Sequence, residues 1–271
     1  MGSWPREIDW NRIWLEARKQ RTCKGKGQDD WDRKAASFAR RNRGSSYIAR
    51  LLSFIRAEPT DRILDVGCGP GTLAIPLAAQ VAQVTAMDYS SGMLAALVEQ
   101  AQAESIDNIT VCRAAWEDDW EALALPSHDI AVASRSLSVD DLAAALKKLD
   151  RWAIKRVVVT DRVGSGPFDP EVFAAVGRQL DAGPDYMITV NLLHQLGIYA
   201  KVDFIDAEYS ESYGSREDAF DSVVWMLDDL HPAERLRLEH FLDERLTLQG
   251  DGRWHLSRRH TPRWAVIWWD K

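Results

Sequence analysis

The sequence predicts an α/β fold built on a mostly parallel sheet, and three observations carry that prediction. The stretch Ile63 to Ala78, ILDVGCGPGTLAIPLA, starts as a short apolar strand, breaks into glycines at 67, 69 and 71, and resumes as a helix. Strand-like and helix-like segments then alternate from Arg62 to Thr160, the pattern of parallel strands joined by crossover helices. Arg156 to Thr160 is a valine-rich run, which suits a central strand buried on both faces. A strand that turns through glycines into a helix is a nucleotide-cradling turn. Its glycines permit positive φ and close approach of the backbone, and the helix beyond offers unpaired N–H groups.

The N-terminal elements are predicted to be helical. In residues 1–22, Ile8, Trp10 or Asn11, Trp14 and Ala17 recur at three- and four-residue spacing and make one apolar face. Residues 23–30, CKGKGQDD, are charged and glycine-rich and read as a loop. Asp30 is placed to N-cap a second helix, WDRKAASFA, with Trp31, Ala35, Phe38 and Ala39 as its stripe. Tyr47 to Ile55 reads as a third helix, stopped by Glu58-Pro59.

The core follows. Arg62 to Val66 is the first strand, and its helix runs from about Thr72 to Gln80, with Pro76 early enough to be tolerated. Gln83 to Met87 is a second strand ending at Asp88, and Ser90 or Ser91 caps the helix MLAALVEQAQAE. Asn108 to Arg113 and Asp129 to Ala133 are the third and fourth strands, Asp140 to Leu149 a helix, and Arg156 to Thr160 the fifth strand. After Asp161 the alternation lapses. Helices are expected over Pro170 to Leu180 and Ile188 to Leu196, the latter with Gly197 as its C-cap. Lys201 to Ser210 alternates as a strand, and helices follow over Ser215 to Leu227 and Pro232 to Leu246. Gly250 to Gly252 turns into a terminal hairpin whose last strand is Arg263 to Trp269.

Composition bounds the functional classes. Of the 271 residues, 46% are hydrophobic and 28% charged, enough for a sizeable core under a charged surface. No run of eighteen apolar residues is present, and the polar, basic first thirty residues hold no signal-type apolar segment, so the expectation is a cytoplasmic protein without a membrane partner. Cys23, Cys68 and Cys112 are scattered, with no C-x-x-C pair to suggest a disulfide framework or zinc site. The net charge of −7 is uneven: residues 1–50 carry thirteen Lys and Arg against six Asp and Glu. Packing of this basic arm on an acidic core is the expected use of the charge, and nucleic acid is not an expected partner.

The glycine loop differs from a dinucleotide fingerprint in two respects. Its third glycine comes one residue early, Thr72 standing at the expected place. Asp65 precedes the first glycine by two residues, where it meets a cationic amine better than a pyrophosphate. The resulting pattern, D-x-G-x-G-x-G over Asp65, Gly67, Gly69 and Gly71 with Cys68 inside it, resembles the first motif of the class I S-adenosylmethionine (SAM)-dependent methyltransferases. That resemblance covers residues 31–163 well, the terminal strands fairly, and the remainder loosely.

The resemblance implies a Rossmann-like fold with a seven-stranded, mostly parallel sheet in the order 3-2-1-4-5-7-6, its last strand antiparallel and inserted between the fifth and sixth. Helices would cover both faces. The implied organisation is an N-terminal helical arm or lid over 1–46, a SAM-binding core over 47–163, helical substrate-cap additions with the sixth strand over 164–250, and a C-terminal hairpin over 251–271 completing the sheet. For the cofactor, S-adenosylmethionine with S-adenosylhomocysteine (SAH) as its product, the resemblance points to the glycine loop and to Asp88 for the ribose hydroxyls. Tyr89 and Met93 would flank the adenine, with Ala115, Trp116 and Glu117 in the third motif and Ser134 and Arg135 past the fourth strand.

Several chemistries lack their residues. The [DN]-P-P-[YFW] of base- and glutamine-methylating enzymes is replaced by Ser134-Arg135-Ser136-Leu137, and no cysteine follows the fourth or fifth strand as a nucleophile. The six histidines lack metal-ligand spacing, so no metal is expected. Direct displacement remains, in which alignment supplies most of the acceleration. No catalytic base is assigned; Arg135, Asp161, His194, Tyr209 and Tyr213 are candidates for substrate contact. The expectation is methyl transfer to a small-molecule acceptor. The alternatives are an RNA or protein methyltransferase docking through the basic arm, and a non-catalytic SAM- or SAH-binding protein.

Overall fold

The computed structural model of the chain describes residues 8–22, 27, 29, 31, 32, 46–207 and 212–271. Its frame is a seven-stranded sheet of β1 (Arg62–Val66), β2 (Gln83–Asp88), β3 (Ile109–Arg113), β4 (His128–Ser134), β5 (Ala153–Arg162), β6 (Lys201–Asp206) and β10 (Arg263–Asp270). The order is β3-β2-β1-β4-β5-β10-β6. Strands β1 to β5 run parallel, and β10 pairs antiparallel with both β5 and β6, Trp264 facing Arg162 on one side and Ile205 on the other. This is the expected topology, with β10 as its seventh strand.

Alternation along the strands divides the core between two faces. Ile63, Val84, Ala86, Ile130, Val132, Val158 and Val266 point to one face. There they meet α2 (Ser46–Ile55), α3 (Ala74–Ala78) and α4 (Ser91–Ala103). Leu64, Met87, Ala131, Ala133, Val157, Val159 and Ile267 point to the other. That face is covered by α1 (Trp10–Gln20), α5 (Leu142–Trp152) and α7 (Tyr186–Gln195). Val157, Val158 and Val159 are fully buried, which explains why this stretch reads as continuous valine rather than as an alternation.

A third cluster stands apart from both faces. Val172 and Phe173 of α6 (Pro170–Val176), Phe220 and Val223 of α8 (Arg216–Val224), and Leu238 and Leu242 of α9 (Pro232–Asp243) pack together. They lie against a small sheet of β7 (Ser212–Tyr213), β9 (Trp254–Leu256) and β8 (Leu246–Leu248), in that spatial order. The turn at Gly250–Gly252 does close a hairpin, but of β8 with β9 in this small sheet. The expected terminal hairpin is therefore divided: β10 finds both its partners in the large sheet.

Several boundaries differ from expectation for local reasons. The helix after β1 starts at Ala74 rather than Thr72, because Gly71 is still at φ +85°. Ser90, not Ser91, caps α4, its Oγ accepting from Met93 N at 3.1 Å. Gly177 at φ +82° ends α6 at Val176, leaving Leu180 outside it. The last cap helix stops at Asp243, and Leu246 opens β8 instead. Trp31 and Asp32 are helical, while Asp30, Ala35, Phe38 and Ala39 lie outside the described residues. Among the described residues no helix is long and apolar enough to cross a membrane.

Candidate functional site

The site lies at the carboxyl ends of β1, β2 and β4, beside the crevice where the strand order reverses between β1 and β4. The glycine loop is tied to the end of β2: Gly67 N and Cys68 N both donate to Met87 O, at 2.8 and 3.0 Å, and Gly69 N donates to Asp88 Oδ2 at 2.8 Å. Gly67, Gly69 and Gly71 all take positive φ, which L side chains adopt only under strain. At Gly69 a β-carbon would meet nothing within 4 Å, so the loop faces open space there.

Two buried carboxylates flank the loop. Asp65 is 1% exposed and its Oδ2 has no hydrogen-bond partner. Burial, and then the charge of Asp88, push its pKa up to about 7. An orphaned carboxylate oxygen in a dry site calls for a cation or donor from outside the chain. Asp88 differs: Oδ1 accepts from Ser90 N at 2.9 Å and Oδ2 from Gly69 N. Burial still raises its pKa, with these N–H groups opposing. Each oxygen keeps a second lone pair, so the carboxylate can also accept a pair of hydroxyls.

The first turn of α4 has an unforeseen partner. Asp32 Oδ1 accepts from Ser90 Oγ at 2.5 Å and from Gly92 N at 2.8 Å, so the N-terminal region helps to cap the helix that follows Asp88. Gly92 permits the approach, since a β-carbon there would stand 2.9 Å from Asp32 Cα. Tyr89 is half-buried and Met93 buried in this same turn region.

Past β3, Ala115 N donates to Asp118 Oδ2 at 2.8 Å and Trp116 Nε1 to Ser136 O at 3.1 Å, while Glu117 is exposed. Trp116 also stacks at 5.6 Å on Trp120, which is fully buried. The indole of Trp116 is therefore fixed against the loop after β4. Lys148 Nζ closes the same turn by donating to the carbonyls of Trp116 and Asp118.

At the end of β4 the Ser134 Oγ lies 2.9 Å from Tyr47 Oη, which lies 2.8 Å from Thr160 Oγ1. Thr160 Oγ1 also accepts from Arg135 N at 2.9 Å. Tyr47 and Thr160 were not singled out in the sequence; an α2 tyrosine reaching two strands leaves no local pattern. Asp161 is buried on the opposite face, where Thr189 Oγ1 donates to its Oδ2 at 2.7 Å, and burial lifts its pKa to about 6. His194 is exposed and packs edge-on to Tyr199, and Tyr213 sits in the third cluster, so neither joins this site. Tyr209 lies outside the described residues. No group of three His, Cys, Asp or Glu among the described residues is placed to hold a metal ion.

Burial raises the thiol pKa of Cys68 well above its ordinary value, with the charges of Asp65 and Asp88 adding to it, and burial raises that of Cys112 as well. Neither is disposed to form a thiolate.

Known proteins match this architecture. Residues 63–155 match the family described as methyltransferase domain. A Haemophilus influenzae protein described as uncharacterized is 37% identical over 243 residues, covering 89% of this chain and 88% of that one. The 23S rRNA (uracil(1939)-C(5))-methyltransferase RlmD of Xanthomonas campestris is 39% identical over only 61 residues, 22% of this chain and 14% of that enzyme. Among solved structures, a putative methyltransferase from Bacillus halodurans shares the fold, with a TM-score of 0.57 at 13% identity over 83% of this chain and 99% of that one.

Proposed function

The chain belongs to the class I S-adenosylmethionine-dependent methyltransferases, and from that premise we propose that it methylates a small-molecule acceptor by direct displacement. When bound, SAM supplies a methyl group already attached to a good leaving group, a sulfonium. The residues of the cradle fit it. The buried, unpartnered Oδ2 of Asp65 accepts from the α-ammonium, and Asp88 accepts from the ribose hydroxyls while it holds Gly69 in place. Open space at Gly69 admits the ligand to the backbone. The chain's remaining task is to align the acceptor and exclude water, which can contribute about 7–11 kcal/mol in favourable cases.

The observation that carries the small-molecule reading is the seating of α1. Trp14, 3% exposed, donates from Nε1 to Val139 O at 2.7 Å, and Arg18 donates to Ser138 O and to Asp140. Thr22 N donates to Asp181 O at 2.8 Å, and its hydroxyl to Gln179 O. The helix and the residues just past it thus join the loop that leaves β4 to the segment between α6 and α7, walling the acceptor side with the chain's own additions. Arg18, one of the basic arm residues, is engaged internally and unavailable to a polyanion.

The rRNA methyltransferase match favours the other reading over a short segment. Methylation of a pyrimidine carbon calls on a cysteine thiolate, and of the two described cysteines Cys68 is buried and Cys112 half-buried, burial raising the thiol pKa of each. Incubating the protein with methyl-labelled SAM and cell extract tests the choice. Label in low-mass material is the expected result; label in RNA or protein would replace this reading with the macromolecular one, and SAM binding without transfer with the non-catalytic one.

A further inference from the structure

Arg135 is the first residue beyond β4, and its backbone is at φ +56°, a left-handed conformation that costs an L residue roughly 1–3 kcal/mol. The strain is held by bonds on both sides of the peptide. Tyr47 Oη links Ser134 Oγ to Thr160 Oγ1, and Thr160 Oγ1 takes the Arg135 N–H. The left-handed residue turns the side chain out of the strand's register. Its guanidinium lies 4.4 Å from the centroid of the Tyr47 ring and 5.9 Å from that of Trp264, on β10. Arg135 therefore leans across β5 towards β10, away from β2 and Asp88.

What this arginine lacks is equally specific. It forms no ion pair with any described carboxylate, and none of its guanidinium N–H groups donates to a described residue. Two arginines of the same sheet are paired, Arg156 with Asp270 and Arg263 with Asp206. Two aromatic rings cover the guanidinium's surroundings, which favours a cation but does not satisfy its in-plane donors. A half-buried guanidinium with free edge donors matches a planar or tetrahedral oxyanion bound through two N–H groups at once.

We propose that Arg135 is the anchor for an anionic group of the methyl acceptor, a carboxylate or a phosphate. This deepens the small-molecule reading and rests on it. Location supports the role: the next residue, Ser136, donates from Oγ to Val66 O at 2.6 Å and packs against Gly67, so the backbone that carries Arg135 is fixed beside the glycine loop while its guanidinium reaches the other way. Tyr47, Thr160 and Ser134 are positioning residues, since they hold the strained peptide and touch the acceptor only through it. The assignment moves Arg135 from the cofactor's side of the site to the acceptor's.

The test is calorimetric titration of the SAH-loaded protein with benzoate and with phenyl phosphate, for the native chain, R135K and R135Q. The native protein binds at least one of the two, and which one separates the carboxylate source from the phosphate source. R135Q weakens that binding by about tenfold or more, R135K weakens it less, and SAH affinity stays within about threefold in both. Equal anion binding by native protein and R135Q, or none by the native protein, overturns the proposal. So does a large loss of SAH affinity in R135Q together with anion binding only in SAH-free protein, which would give the guanidinium to the cofactor's own carboxylate. Failure of the native protein to bind SAH would overturn the premise first, and the proposal with it.

Discussion

Ser136 stands directly over Gly67: a β-carbon added to the glycine would lie 2.3 Å from Ser136 Cβ. Gly69, two residues on, has nothing within 4 Å of the same position. Substitutions of the two glycines should separate folding from binding. Gly67→Ala should lower the melting temperature sharply, because backbone strain and a collision fall on the same residue. Gly69→Ala should cost only the left-handed backbone, about 1–2 kcal/mol, while its methyl group occupies the ligand's space. Thermal unfolding alongside SAM calorimetry checks both. Intact SAM affinity in Gly69→Ala would refute the cradle.

Asp65 makes the free protein's stability depend on pH. Its folded pKa is raised to about 7, above the ordinary carboxylate value, so the folded state holds the proton longer than the unfolded one. The associated stability is fully present below about pH 4 and is lost as pH rises towards 7. Asp65→Asn should therefore raise the melting temperature above pH 7 and leave it nearly unchanged below pH 4, while SAM binding collapses.

The same carboxyl should give up its proton when the cofactor's ammonium arrives. Calorimetry near pH 6.5, in two buffers of different ionisation enthalpy, should show release of up to about one proton per SAM bound. In Asp65→Asn any residual binding should release none.

Asp88 accepts two backbone N–H groups with its two oxygens. Asp88→Ala should weaken SAM binding by about 1.5–3 kcal/mol, the range for hydrogen bonds to a charged group. Asp88→Asn should be no milder, because its NH2 would face one of those N–H donors. Affinity restored by the asparagine would show that shape, not charge, is what the ribose side requires.

The arm should divide under hydrogen exchange. Residues 10–20 are pinned by the buried Trp14 and by Arg18, and should be protected with and without SAM. Asp32, which leans on the first turn of α4, should gain protection together with its neighbour Trp31 when the ligand binds beside Asp88. Uniform gain across residues 8–32 would instead make the whole arm a lid.

What the sequence disclosed was whatever a few neighbouring residues encode. Asp65, the three glycines and Asp88 lie within 24 residues and describe one strand–turn–helix–strand unit, so their meeting at one end of the sheet follows from spacing. The parallel sense of these strands follows from the alternation around them, while their order is implied by the resemblance to class I methyltransferases. The small sheet escaped because β7, β8 and β9 are two or three residues long, too short to show a period. Tyr47 with Thr160, Asp32 with Ser90, and Trp14 with Val139 escaped for another reason: each contact joins residues far apart in the chain, and only the assembled sheet brings them together.

The insertion of β10 dictates an order of assembly. β6 is hydrogen-bonded in the large sheet to β10 alone, and β10 joins β5 across the long separation from Arg162 to Trp264. Strands β1 to β5 can pair through nearer neighbours, but closing the larger loop costs more chain entropy and comes late. Until then the backbone edge of Val157, Val158 and Val159 is open, and a second molecule can pair with it. Refolding yield should accordingly fall with protein concentration, because β10 competes with another chain's valine-rich edge for the same row of hydrogen bonds.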